Sequence, residues 1–272
     1  MAQLRTIGSL TRLQVWVLLG SVVLFALLYF GFDTRSPDMK QLDKQRKLVL
    51  ASADPMVLLQ EAKAQLDPAS RNNILAIETD LEATRDTTAR IEALKRLSSA
   101  WFDLGFPELA GHYAEQVARL APSGESWSIA GTTYLLCLQR QKAEKVRNFC
   151  TQRAIESLES AASLEPDTLR HRINLALVFT ENPPQDNPMK GIQMLLNLDR
   201  EHPDNPMVLN QLGRLALKTG QYDRAIERLE NALEQAPRNR TTICLLAQAY
   251  AGAGLADKAK RFESLCNELS RQ

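Results

Sequence analysis

The sequence predicts an all-α fold of stacked helical hairpins preceded by a single membrane-spanning helix, and three observations carry that expectation. A hairpin pattern of about 34 residues recurs from residue 91 to residue 272. Glycine and proline number only twelve each and aromatic residues make up 6%, which suits helices better than strands with their aromatic and β-branched demand. Near the start, Val15 to Phe32 forms an uncharged apolar run.

The bulk composition narrows the function classes. With 272 residues, 44% hydrophobic and 24% charged, the chain can bury a sizeable core. Thirty-three basic against 32 acidic residues leave a net charge of +1. No global field therefore draws the protein to nucleic acid.

The run VWVLLGSVVLFALLYFGF is 18 residues long, and at 1.5 Å per residue it spans about 27 Å, the thickness of the hydrocarbon core of a bilayer. Trp16 and Tyr29 stand where interfacial aromatics belong. No small-x-small cleavage site follows it, and Phe32 stands where a lipidated cysteine would be needed. Residues 1–32 are therefore expected to hold a retained transmembrane helix, 15–32, in a lipid bilayer. Arg35, Lys40, Lys44, Arg46 and Lys47 follow the span while Arg5 and Arg12 precede it. That bias favours an inside position for the carboxyl side, but long domains translocate regardless of it, so the orientation stays open.

Residues 33–90 read as a charged helical stalk followed by two short helices. Asp54-Pro55 and Asp67-Pro68 each place an N-cap before a first-turn proline. The two helices are either a degenerate capping repeat or an unrelated hairpin.

The array itself occupies 91–272. Pro206 to Asn239 is its best-formed unit, with Leu209, Leu212, Gly213 and Ala216 on a first helix, Gly220 and Tyr222 at the turn, and Ala225, Leu229 and Ala232 on a second. Apolar residues three and four apart give each helix one buried face. The unit at 91–124 repeats this with Leu94, Leu97, Trp101, Gly105, Ala110 and Ala114. In the unit at 125–168, Gly131 and Ala154 are 23 residues apart, against 12 between Gly213 and Ala225. The extra residues, with Arg140, Lys142, Lys145 and Arg147, form either a basic extension of the hairpin or a charged surface loop. The unit at 169–205 carries a proline-rich corner at Asn182 to Pro188, and the unit at 240–272 ends in a polar helix suited to a cap.

These residues resemble the tetratricopeptide repeat (TPR) pattern over 91–272. Together with the anchor, Trp127–Tyr134 and Glu181–Ile192 resemble an uncharacterised family of membrane-anchored repeat proteins from Bacteroidota. The first resemblance implies an α-solenoid of about five units whose first helices line a concave face. It also implies that a protein or extended peptide partner meets Met207, Asn210, Arg214, Leu217 and Lys218 of one unit and Lys95 and Phe102 of another. Phe102 and Leu217 could equally pack on a neighbouring repeat. Lys95 matches the lysine of the carboxylate clamp in chaperone-binding relatives, but Ser99 replaces its asparagine. The second resemblance implies a bacterial source; with the anchor, the expected location is the inner membrane, the repeats slightly favoured on the periplasmic side with the cytoplasmic side left open.

No HExxH, paired CxxC, GxxxxGK[ST], GxGxxG or GxSxG occurs, so no cofactor, metal or catalytic residue is nominated and no enzyme activity is expected. His112, His171 and His202 lie in different repeats and are expected on surfaces or helix faces. The acidic residues are expected to be solvated and paired along helices. Cys137 and Cys150 sit at matching heights of one hairpin and Cys244 and Cys266 of another. They are either two intra-repeat disulfides, which would imply an oxidising compartment, or four buried thiols. Two functions follow: a membrane-anchored TPR scaffold for one protein partner, or a chaperone-like factor holding secreted or cytochrome precursors.

Overall fold

The computed structural model describes Trp16, residues 18–21 and residues 53–271. The chain divides into two compact units, 1–50 and 51–272. Most of the expected transmembrane helix and the stalk up to residue 52 lie outside the described residues. The part of the apolar run that is described, Trp16 and residues 18–21, is helical and exposed. Among the described residues, no helix is long and apolar enough to cross a membrane.

Within the second unit, every described element is a helix: α1 Pro55–Gln65, α2 Pro68–Ala83, α3 Thr87–Asp103, α4 Pro107–Leu120, α5 Gly124–Arg140, α6 Glu144–Leu164, α7 Leu169–Glu181, α8 Lys190–Glu201, α9 Pro206–Lys218, α10 Tyr222–Gln235, α11 Arg240–Gly252 and α12 Ala256–Leu269. From α3 onward the helices pair as hairpins, and the second helix of each packs on the first helix of the next. The result is an all-helical solenoid.

Local sequence explains where the helices start. Asp54 and Asp67 accept hydrogen bonds from the first-turn amides of α1 and α2, each followed by a proline that has no N–H to satisfy. Asn205 and Asn239 do the same for α9 and α11, and Ser123 closes a capping box with Ser126 on α5. Three first helices end alike. After α9, Gly220 takes φ +71° and the Gln221 amide donates back to the Ala216 carbonyl, and Gly105 and Gly254 repeat this geometry after α3 and α11. A side chain at such a position would be strained, which is why the pattern keeps glycine there.

The second hairpin decides between its two readings in favour of an extension of the helices over a surface loop. Its extra residues enter the helices themselves, 17 residues in α5 and 21 in α6, leaving only Gln141–Ala143 between them. Arg147 is not a solvated charge: it donates to the carbonyls of Leu138, Gln141 and Glu181 and so fastens the tip to the start of the proline corner. Asn182 of that corner donates to Thr151 of α6 at 2.7 Å.

At the other end, α1 and α2 do not form a flat repeat hairpin. α2 packs along α3, where a preceding second helix would lie, while α1 turns away to α4. The Ala53 amide donates to the Lys145 carbonyl at 3.2 Å, and Leu58 touches both the core around Trp101 and the core around Tyr134. The short joint after α1 is closed by the Arg71 guanidinium on the carbonyls of Lys63, Ala64 and Leu66.

Close approach sets the spacing inside the hairpins. A Cβ on Gly191 of α8 would lie 2.5 Å from the Ala176 carbonyl oxygen and 2.6 Å from the Thr180 amide nitrogen of α7, whereas one on Gly213 of α9 would meet only the side chain of Leu229. Backbone cannot yield as a leucine rotamer can. Gly191→Ala is expected to lose about 2–3 kcal/mol in urea denaturation, and Gly213→Ala distinctly less. The reverse order would show that the α7–α8 contact is looser than described.

Candidate partner-binding surface and the repeat disulfides

The face carried by the first helices is where the sequence places a partner, and its residues divide into engaged and free groups. Asn210 is buried and accepts a hydrogen bond from the Thr242 hydroxyl of α11 at 2.9 Å. This corrects its expected role: the amide joins two repeats and does not face a ligand. Leu217 is half-buried against the core formed by α9, α10 and α11. Lys218 reaches Glu181 of α7 at 3.4 Å, and Lys95 pairs with Glu92 of its own helix at 2.8 Å. Phe102 is exposed at 37%, but Arg140 of α5 lies over its ring, 5.5 Å from the centroid.

Met207, 44% exposed, and Arg214 lie open, with Arg214 donating a hydrogen bond to Gln211 beside it. Ile129 of α5 is likewise exposed, at 53%, on a first helix. Aligned on Gly131 and Gly213, Ile129 matches Gln211, while the position of Asn210 is held by the buried Ser128, so the repeat pattern did not single Ile129 out and its exposure does. Apolar and guanidinium groups together suit a protein segment with one apolar face.

Charged groups that the sequence places on the surface are in the core instead. Glu115 of α4 is buried, yet it accepts from Arg153 at 2.8 Å, from Arg119 at 2.7 Å and from the Tyr134 hydroxyl at 3.0 Å. It ties α4, α5 and α6 together. Burial, with Arg153 and Arg119 nearby, lowers the pKa of His112 below the ordinary histidine range. Glu108 is also buried, and the Gln141 amide donates to its carboxylate, 3.2 and 3.1 Å from the two oxygens. Desolvation outweighs those bonds and pushes its carboxyl above the usual carboxylate range.

His171 is a second correction, because it is fully buried rather than on a surface, with Nε2 3.2 Å from Glu165. That hydrogen bond is the largest cause of the lowered Glu165 carboxyl, which also packs where a side chain on Gly124 would go. These groups brace helix ends and form no reactive constellation. Among the described residues, no cluster of histidine, cysteine or acidic side chains could hold a metal ion.

The four cysteines are bonded in the structure as Cys137–Cys150 and Cys244–Cys266, with Cα separations of 6.2 and 5.0 Å. Each bond ties the two helices of one hairpin, α5 to α6 and α11 to α12. Closing loops of this size stabilises a hairpin by about 3 kcal/mol in the chain-entropy account.

Two substitutions test the buried acids. Glu115→Ala strands the Tyr134 hydroxyl and takes from Arg153 its buried partner, and is expected to cost about 3 kcal/mol. Glu156→Ala, which removes the more exposed partner of the same arginine, should cost under about 1 kcal/mol. For Glu108, a raised folded pKa means that its favourable contribution is present in acid and lost as pH rises through that pKa. Glu108→Gln should therefore unfold at higher urea than the parent at pH 7, with the gain vanishing below about pH 4, where the unfolded carboxylate also protonates.

The tetratricopeptide repeat family profile matches residues 216–262, the stretch from the end of α9 to the middle of α12. Interferon-induced protein with tetratricopeptide repeats 2 from Cricetulus griseus is 35% identical over 121 residues, 44% of this chain and 25% of that protein. The chain thus spans about a quarter of that relative's length. Among solved structures, a thermophilic TPR protein of Thermus thermophilus aligns over 72% of this chain and 97% of its own at 21% identity, with a TM-score of 0.48. MamA from residue 41 onward, of Desulfovibrio magneticus, aligns over 70% and 98% at 18% identity, with a TM-score of 0.40. The described array is an all-helical solenoid, and its match to the tetratricopeptide repeat family lies in residues 216–262.

Proposed function

We propose that the protein is a non-enzymatic, membrane-anchored scaffold that holds a protein or extended peptide segment on the face carried by its first helices. The observation that supports this best is the exposure of Ile129 and Met207, with Arg214, on first helices whose opposite sides are packed into the cores. The partner in this reading is a segment with one apolar face and acidic flanks, matched to those two apolar side chains and the guanidinium. Arg140 over Phe102 would be displaced, or would join the contact, as such a segment seats.

The anchor is Val15–Phe32, an uncharged run long enough to span a bilayer. A single tether raises the local concentration of a bound partner at the membrane without any new contact. Two oxidised repeats fit an oxidising compartment, so we place the array on the periplasmic side of a bacterial inner membrane.

Photo-crosslinking residues at Ile129 and Met207 should capture a partner in native membranes, while one at exposed Glu159 of α6 should not. A single stoichiometric adduct supports the scaffold, and a ladder of unrelated adducts supports a chaperone-like holder. Equal capture from Glu159 would overturn both. Deleting residues 1–32 should move the protein from the carbonate-resistant membrane fraction to the supernatant. Retention of the truncated chain would overturn the anchor.

A further inference from the structure

We propose that the Cys244–Cys266 bond is an exchange site for an external dithiol, and that its reduction releases α12 from the array. This rests on the cysteines being oxidised and not on the identity of the partner. The two disulfides lie at opposite ends of their hairpins, Cys137–Cys150 beside the turn and Cys244–Cys266 at the open end, and they differ in surroundings. Cys137 and Cys150 are wholly enclosed within a core that includes Tyr134, Leu138 and Phe149. An attacking thiolate must approach along the S–S axis, and there it has no path unless the hairpin opens. Cys244 and Cys266 are only half-buried.

The helix that the accessible bond holds is also the one with least else to hold it. α12 has no buried residue, whereas the equivalent second helix of the preceding repeat, α10, buries Ala225, Leu229 and Ala232. The apolar contribution of α12 to the core beneath it is Ala259 and Phe262, whose ring tilts against Tyr250 at 5.2 Å. Lys258 lies over the same Tyr250 ring and 3.7 Å from Glu230, but both charged side chains are well exposed. An exposed pair of this kind adds little. The covalent bond therefore supplies a large share of the constraint on α12.

The exchange balances. One thiolate of the dithiol attacks a sulfur of the bond, forming a mixed disulfide and expelling the other cysteine as a thiolate. The second thiol of the reagent then closes on the first, releasing the second cysteine. The protein disulfide gains two electrons and two protons, and the dithiol is oxidised to its own disulfide. Freed, α12 can leave α11 and uncover the Tyr250 ring.

The test uses the full chain treated with dithiothreitol, quenched with N-ethylmaleimide at intervals and mapped by mass spectrometry. Cys244 and Cys266 should be alkylated at least roughly tenfold faster than Cys137 and Cys150. In the selectively reduced protein, amide hydrogens of α12 should exchange on the order of a hundredfold faster, while α5 and α6 keep their protection. A Cys244→Ser/Cys266→Ser variant should show the fast α12 exchange without reductant. If that variant fails to fold, the reduced parent still decides. Free thiols at positions 244 and 266 before treatment, simultaneous reduction of both bonds, or unchanged α12 protection after reduction would each overturn the proposal.

Discussion

The array depends on how closely the two helices of each hairpin approach. At Gly131 and Gly213 a leucine of the second helix, Leu158 or Leu229, fills the space a Cβ would need, and at Gly191 the neighbouring backbone itself does. This fixes the helix spacing to within a few tenths of an ångström, since interiors are packed too densely to absorb a methyl group. Once the spacing is set, the buried faces of second helices lie at a height where the next first helix can meet them. Asn210 and Thr242 then join one repeat to the next by a buried hydrogen bond. In this sense the small residues set the repeat, and the large apolar ones fill it.

That spacing also explains the buried charges. The second repeat has helices of 17 and 21 residues rather than the 13 and 14 of α9 and α10, so its tip extends beyond its neighbours. Charged and polar groups fasten it: Gln141 to Glu108, Arg147 to the end of α7, and Arg153 to Glu115. A buried carboxylate is tolerated when its lone pairs are filled, and Glu115 accepts from three side chains. Glu108 has only neutral donors, its own backbone amide and Gln141, and desolvation outweighs them, which holds its carboxyl above the usual carboxylate range.

The sequence made the hairpins and their turns legible because glycine, proline and capping residues act locally. Gly220, Asn205 and Asp67 do in the structure what their chemistry requires at those positions. The length of the second repeat was legible as a residue count but not as a shape. Between Arg140 and Phe149 there is no glycine or proline, and charged, straight-chain residues suit a helix as well as a surface loop. The path of α1 was hidden for a different reason. Its caps predict a helix, but its packing against α4 and the tip of α6 is a long-range contact without a periodic signature. His171, Glu108 and Glu115 were misplaced because residue type alone argues for exposure. Partners that overturn that default, such as Glu165, Gln141 and Arg153, lie 6 to 38 residues away in sequence.

The same accounting limits what the first-helix face can offer a partner. Repeat position alone treats seven residues as equivalent, yet Asn210 is committed to Thr242, and Leu217 to the core. Lys218 spans α7 and α9 through Glu181, and Arg140 spans α5 and α3 through Phe102, two places where side chains link the ends of successive first helices. A partner seated near those ends must compete with contacts that already exist. One seated along Ile129 or Met207 meets exposed apolar surface and gains from covering it. Recognition should therefore concentrate toward the starts and middles of the first helices, with the ends serving to hold the repeats in register.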